Sequence, residues 1–131
     1  MPITIMIKDA TTSGRIFNET PISFDSELTT VRTIITARVG AEVDAYNNRL
    51  PEYYQGLVQP SDAENTLNGY RLRNRRKIDP EQQCTVALDA FSKNGYFVLI
   101  DNIQAESLDQ MVVITDQTDI SFVKLTPLIG G

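Results

Sequence analysis

The sequence predicts an α+β fold in which a mixed sheet of four to five strands packs against one long helix. Isoleucine alternates with other residues over positions 3–7, which indicates a strand with one buried face. Apolar residues then recur at helical spacing over positions 31–46. Two strand-like apolar runs follow, at 96–100 and at 120–125.

The first two strands are predicted to form a hairpin. The first strand covers the alternating isoleucines, and Thr11-Thr12-Ser13-Gly14 provides a turn. The second strand covers residues 15–20 and extends toward Ile22 and Phe24. Because Pro21 has no amide proton to donate, we expect this strand to lie at a sheet edge or to contain a bulge.

A long helix is predicted next, with Thr29 or Thr30 as its N-cap and Pro51 just beyond its end. Gly40 falls inside the helical pattern, where it either ends the first half of the helix or allows close packing. The residues expected on the apolar face are Val31, Ile34, Ile35, Val39, Val43 and Tyr46, and those expected mainly on other faces are Arg32, Arg38 and Glu42.

Residues 50–95 are predicted to form a helical insertion between the long helix and the third strand of the sheet. Residues 50–60 indicate a loop anchored by aromatic and aliphatic side chains. Ser61-Asp62-Ala63-Glu64 matches a capping box, so one or two helical turns are expected there. Asn68-Gly69 is a turn signal, and the alternation over 70–73 indicates a short strand.

A second helix is predicted to start at Asp79-Pro80-Glu81-Gln82 and to stop at Asn94-Gly95. The lone cysteine, Cys84, lies on its apolar face, and the chain has no histidine to activate it. We therefore interpret Cys84 as a buried core residue rather than a nucleophile. The apolar face consists of Cys84, Ala87, Leu88 and Phe91.

The last part of the chain is predicted to complete the sheet. The apolar run Tyr96–Ile100 indicates a central strand that is buried on both faces. Residues 107–111 indicate a helical turn, and 112–115 form a short apolar run. A turn at 116–119 leads into the final strand, which starts at Ile120.

Composition predicts one cytoplasmic domain over residues 1–131, with a flexible C-terminal tail at 126–131. No apolar run approaches the roughly 18–20 residues that span a membrane, and we expect no signal peptide. One cysteine excludes an internal disulfide, and the absence of histidine excludes histidine-based catalysis and metal ligation. The net charge of −5 argues against nucleic-acid binding.

Five basic residues nevertheless cluster within residues 71–77 of this acidic chain. They are Arg71, Arg73, Arg75, Arg76 and Lys77. The cluster is interpreted as a possible docking patch for an acidic partner or nucleic acid, or as a solvated turn and strand. A third interpretation is self-association, in which this basic region of one copy meets the acidic surface of the next, head to tail.

The sequence ends with Pro127-Leu128-Ile129-Gly130-Gly131, directly after the last strand-like run. Glycine adds no packing and has the largest backbone entropy, so the two glycines contribute nothing to a globular core. A backbone without side chains does fit a narrow enzyme tunnel. The dipeptide is therefore interpreted either as a carboxylate presented to an enzyme, or as a flexible end or cloning remnant.

Three segments resemble ubiquitin-like modifiers, in the order in which that family has them. Residues 3–8 resemble the first strand, and a glycine-containing hairpin turn follows them. Residues 97–100 and 107–110 resemble the third strand and a following turn, and residues 120–131 resemble the last strand with an exposed Gly-Gly tail. The order of hairpin, long helix and further strands is similar to that of the β-grasp fold.

The resemblance implies a modifier that carries no catalytic group and needs no cofactor. Its Gly131 carboxylate, next to Gly130, would be adenylated by an activating enzyme that uses ATP. It would then pass to a cysteine as a thioester and finally to an amine, giving an isopeptide bond, or to a hydroxyl of a target protein. Pro127 would stiffen the base of the tail, and Leu128 and Ile129 would give partner enzymes an apolar grip.

The composition resembles that of bacterial members of this family that are encoded in conjugation operons. Their partners are an activating enzyme, a conjugating enzyme and a deconjugating metallopeptidase, and some act in antiphage defence. The insertion at 50–95, and Pro127 where the family has an arginine, depart from ubiquitin and imply dedicated partner enzymes. Two other functions stay open: a sulfur carrier with a C-terminal thiocarboxylate, and a β-grasp interaction or self-assembly module that is never activated.

Overall fold

The structure, a computed structural model, describes residues 2–73 and 76–125. Over these residues the chain forms two helices and nine strands. In chain order the elements are β1 (Ile3–Ala10), β2 (Ile16–Phe24), β3 (Leu28–Thr30), α1 (Val31–Arg49), β4 (Ala63–Thr66), β5 (Gly69–Leu72), α2 (Pro80–Ser92), β6 (Tyr96–Ile100), β7 (Ile103–Gln104), β8 (Met111–Val113) and β9 (Ile120–Lys124).

Five of the described strands form one mixed sheet in the order β2-β1-β9-β6-β7. β1 is antiparallel to β2 and parallel to β9, with Ile7 opposite Ile120. β6 is antiparallel to both β9 and β7. The inner face of this sheet shares its core with α1. The predicted α+β class is therefore confirmed, and the arrangement is compatible with a β-grasp-like fold.

β1 and β2 form the predicted hairpin, and β2 lies at one edge of the sheet. The turn places Gly14 at a φ of 89°, in the left-handed region that glycine adopts without strain. Pro21 stands opposite Met6 within β2. The edge position that Pro21 predicts for this strand is confirmed. An edge strand tolerates proline because it needs ladder hydrogen bonds on one side only.

α1 begins and ends where its sequence signals predict. The Thr30 side chain accepts a hydrogen bond from the Thr33 amide at 3.2 Å, and Leu50 closes the helix just before Pro51. All six residues predicted on the apolar face are buried. Both interpretations of Gly40 are wrong, because the helix continues through it and a side chain there would meet nothing within 4 Å.

The helical turns predicted at Ser61-Asp62-Ala63-Glu64 are wrong, because Ala63–Thr66 is strand β4. β4 pairs antiparallel with β5 around a turn at Asn68-Gly69, where Gly69 has a φ of 127°. A single helical turn would leave most of its backbone groups without intrahelical partners, whereas the hairpin pairs them. The insertion at 50–95 therefore contains a hairpin as well as α2.

α2 starts as predicted, with the Asp79 carboxylate accepting a hydrogen bond from the Glu81 amide at 3.1 Å. It packs beside α1, and the Tyr96 hydroxyl of β6 donates to the Ala87 carbonyl at 2.7 Å. The chain then turns at Asn94-Gly95, where the Gly95 amide donates to the Ala90 carbonyl at 2.8 Å. Within the described residues, neither helix is long and apolar enough to cross a membrane.

Two predictions for the later part of the chain are wrong. β6 lies inside the sheet, but only its inward side chains, Tyr96 and Val98, are buried, whereas Phe97 and Leu99 are half-buried. No described element fully covers the outer face of the sheet, which explains the difference. The helical turn predicted at 107–111 is instead a hydrogen-bonded turn, and Met111 starts β8.

Candidate functional site

The predicted activation and tail-recognition residues lie outside the described residues. They are Gly130 and Gly131, together with Pro127, Leu128 and Ile129. The structure does describe the point at which the chain leaves the sheet, at Lys124 and Leu125. Both residues line a cleft of about 580 Å³ between the end of β9 and the insertion.

The cleft has aromatic walls and little charge. Phe17, Tyr54, Tyr70 and Tyr96 contribute rings, and Phe17 is about half exposed. The ring of Tyr54 is buried directly against Gly56, so a side chain at position 56 would overlap it. Polar side chains, among them Gln55, Gln59 and Asn65, line the cleft as well, so it combines apolar surface with polar groups, as small-molecule sites do.

Lys124 is a half-buried cation that lines this cleft. It faces the inner side of the sheet, opposite Tyr96, and its Nζ donates to the Gly56 carbonyl at 2.7 Å. The same Nζ lies 5.6 Å from the centre of the Tyr70 ring. Burial, and secondly the positive charge of Arg38, lower the pKa of Lys124 below its ordinary value. The hydrogen bond to Gly56 thus connects β9 to the insertion.

Next to Lys124, three charged side chains form a buried ionic cluster. Arg38 of α1 donates from Nε and Nη2 to the two Asp9 carboxylate oxygens at 3.1 and 2.6 Å. Its Nη1 lies 2.9 Å from Oε1 of Glu42, one turn later on α1. Arg38 and Asp9 are 4% and 3% exposed, so these charges depend on one another rather than on water.

Glu42 connects the ionic cluster to the insertion. Its carboxylate accepts a hydrogen bond from the Leu57 amide at 3.0 Å. Burial raises the pKa of Glu42 to about 7, although Arg38 and the Leu57 amide act in the opposite direction. The neighbouring Tyr54 hydroxyl is also buried, makes no hydrogen bond of normal geometry with the described residues, and has its pKa raised by burial.

The prediction that Arg38 and Glu42 lie mainly on other faces is therefore wrong, and the sequence did contain a signal for it. Arg38 follows Ile34 by four residues and Ile35 by three, which places it on the apolar face of α1. Asp9 continues the inward alternation of the β1 isoleucines. A cation and an anion at inward positions of adjacent elements indicate a buried pair, because isolated buried charges are rare.

The basic residues near the hairpin are exposed, but acidic neighbours partly neutralise them. Arg76 donates to the Ser61 carbonyl at 3.3 Å and lies 3.7 Å from the Asp62 carboxylate. Arg71 stands opposite Glu64 in the β4–β5 ladder. The exposed residues are Arg71, Arg73, Arg76 and Lys77, whereas Arg75 lies outside the described residues. Docking and self-association through this region stay predictions.

The outer face of the sheet is a candidate contact surface that the sequence did not reveal. Ile16, Phe97, Leu99 and Val123 line a depression of about 480 Å³ on this face. A sheet face that is open to solvent normally carries polar side chains. Ile16 is exposed and the other three residues are half-buried, so apolar surface is accessible here and makes the face a candidate for contact with a partner.

Cys84 is half-buried rather than fully buried as predicted. It packs against the core, and its Sγ lies 3.9 Å from the Thr36 carbonyl oxygen. Burial raises the pKa of its thiol, which disfavours the thiolate form that a nucleophile requires. Among the described residues, no histidine, cysteine or acidic side chains are grouped in a way that could hold a metal ion.

Comparison with protein-family models, with curated proteins and with solved structures finds no match to this chain.

Proposed function

We propose that this chain is a ubiquitin-like modifier with a β-grasp fold, activated at the Gly131 carboxylate and then joined to target proteins. The observation that supports this proposal is the position of β1, which lies between its hairpin partner β2 and the parallel strand β9. With α1 across the inner face, this arrangement is compatible with a β-grasp-like fold. β9 then leads the chain toward Gly130 and Gly131.

In the proposed reaction, a Gly131 carboxylate oxygen attacks the α-phosphorus of ATP, and pyrophosphate leaves. A cysteine thiolate of the activating enzyme then displaces AMP to form a thioester. An amine or hydroxyl of the target finally displaces the thiolate. Glycine suits these steps because the acyl carbon can approach each attacking atom without an intervening side chain.

The described residues would serve recognition rather than chemistry. The outer face of the sheet offers apolar contact, and the basic residues near the hairpin offer charge. Either surface is available to an activating enzyme, a conjugating enzyme or a deconjugating metallopeptidase. A bacterial cytoplasmic role, including antiphage defence, is part of the same proposal.

The test uses the purified protein with ATP and an activating enzyme from the same source. We expect pyrophosphate exchange and a covalent adduct on Gly131, read by intact-mass and fragment mass spectrometry. Deleting Gly130 and Gly131 should abolish both signals, whereas the matched variant Gly40→Ala, changed in mid-helix, should keep them.

Other outcomes of this experiment point to other functions. A mass gain that corresponds to sulfur in place of oxygen at Gly131 would indicate a sulfur carrier instead. An unchanged mass, with normal cellular function after the deletion, would indicate an interaction module. The proposal also requires a free carboxylate at Gly131, so a native protein whose intact mass extends beyond this residue would contradict it.

A further inference from the structure

The cleft at the end of β9 differs in charge from the rest of the chain. The sequence has 17 acidic residues and a net charge of −5. Among the described residues that line the cleft, none is acidic, and Lys124 is the only one that carries a charge. Among its described residues, this acidic protein thus presents a cation, and no anion, in a cleft of about 580 Å³.

Lys124 has no carboxylate within ion-pair distance among the described residues. The nearest buried carboxylates, Asp9 and Glu42, are both engaged by Arg38. Lys124 uses its Nζ for one hydrogen bond, to the Gly56 carbonyl, and an ammonium group has further donors to offer. A half-buried charge is stabilised by an opposite charge, so this arrangement favours an anion beside Nζ.

The side chains that line the cleft indicate which chemical group the rest of a ligand would have. The ring of Tyr70 lies under the Lys124 ammonium, and Phe17 and Leu125 present exposed apolar surface. A volume of about 580 Å³ lies in the range of sites that hold small molecules, roughly 300–1,000 Å³. A flat apolar group fits between such walls, because aromatic rings stack or meet edge to face.

We propose that this cleft binds a small molecule with a carboxylate and a flat apolar body, with the carboxylate on Lys124 and the body against Phe17 and Tyr70. A bound ligand would connect β9 to the insertion, since Lys124 and Tyr70 belong to these two parts. The inference goes beyond conjugation and does not depend on it, because none of residues 126–131 is needed for binding.

The first experiment is a titration of the isotope-labelled protein, followed by NMR, with three probes. Phenylacetate has the proposed carboxylate and ring, phenylacetamide has the same shape without the charge, and acetate has the charge without the ring. We expect saturable shifts at Gly56, Tyr70 and Lys124 with phenylacetate. The amide should bind about tenfold more weakly, because a hydrogen bond to a charged group is stronger than a neutral one.

Two variants separate the contributions of charge and ring. Lys124→Met keeps the apolar stem and removes the ammonium, so the preference for phenylacetate over the amide should disappear. Lys8→Met is the matched control, since Lys8 pairs with Asp119 at 3.1 Å on the outer face. Tyr70→Leu keeps the ammonium and should weaken both aromatic probes alike. Backbone spectra of each variant without ligand show whether it is folded.

The proposal is wrong if phenylacetate and phenylacetamide bind equally, or if the shifts map to another surface. It is also overturned if no probe saturates at millimolar concentration, which would leave Lys124 as a structural link to Gly56 alone. Retained carboxylate preference in a folded Lys124→Met protein would exclude the ammonium as the counter-charge.

Discussion

At the scale of single residues, Arg38 balances the charges in the interior of this protein. It meets the Asp9 carboxylate on β1 and the Glu42 carboxylate on α1, and its guanidinium lies 5.3 Å from the centre of the Phe122 ring. Because all of these groups are buried, water cannot replace a lost partner. The cluster therefore joins α1 to the sheet only while all its members are present.

Replacing Arg38 should destabilise the fold strongly. Arg38→Met leaves two buried carboxylates without their cation, so we expect a loss of about 3–5 kcal/mol in the free energy of unfolding, measured with urea. The exposed ion pair of Arg32 with Asp109 provides the control, and Arg32→Met should change stability by less than about 1 kcal/mol. Equal effects of the two changes would contradict the importance of the buried cluster.

Glu42 predicts a specific dependence of stability on pH. Its pKa is 4.5 in the unfolded reference and about 7 in the folded protein, so the folded state holds its proton more tightly. The corresponding stabilisation is complete below pH 4.5 and is lost as the pH rises through 7.

This dependence can be measured by comparing wild type with Glu42→Gln, which cannot ionise at this position. The stability of wild type relative to the variant should fall by up to ~3 kcal/mol between about pH 5 and pH 8. Glu64→Gln, at an exposed position of β4, keeps Glu42 and is the control for the substitution itself. A difference between wild type and Glu42→Gln that rises with pH would reverse the assigned direction.

At the scale of secondary-structure elements, two glycines should respond in opposite ways to alanine. Gly40 lies in α1 with no atom within 4 Å of an added side chain, so Gly40→Ala should stabilise the protein by about 1 kcal/mol. Gly56 lies against the Tyr54 ring, so Gly56→Ala should destabilise it by about 1–3 kcal/mol. The melting temperatures of the two variants, compared with that of wild type, show whether the loop at Gly56 packs against Tyr54 as described.

Elements with a strong hydrophobic periodicity could be predicted from the sequence. Elements that depend on contacts between residues far apart in the sequence could not. The hairpin, α1 with its Thr30 cap, α2 and the start of β9 all follow from local patterns. The sequence predicts helical turns at 61–64 because a capping box is a local signal, whereas the ladder between β4 and β5 needs both strands in place. A local preference for helix is outweighed where a hairpin gives more of the backbone groups a hydrogen-bond partner.

For the candidate site, the sequence could indicate residues that carry function, but not which residues are in contact in the folded protein. The sequence indicates Gly130 and Gly131 as the residues of activation, and both lie outside the described residues. The meeting of Lys124 with Gly56 joins residues that are far apart in the sequence, and no local pattern connects them. The same holds for the outer face, which is visible only once four separate strands are aligned.

At the scale of the whole molecule, the open outer face should matter for partners more than for folding. Leu99→Lys places a charge in the depression, while the half-buried position lets the ammonium reach solvent. If the proposed function is correct, we expect a fold close to wild type and a lower rate of pyrophosphate exchange with the activating enzyme. Val86→Lys, at an exposed position of α2, is the control and should leave the rate unchanged.

The parallel pairing of β1 with β9 has a consequence for how the protein is made. The paired residues lie about 110 positions apart, so this contact has a high loop-closure cost and slows folding. During synthesis on the ribosome, β1, β2 and α1 emerge long before the strand that completes their sheet. Until β9 has emerged, the β1 isoleucines lack the strand that completes their sheet, and apolar surface exposed in this way promotes aggregation of the growing chain.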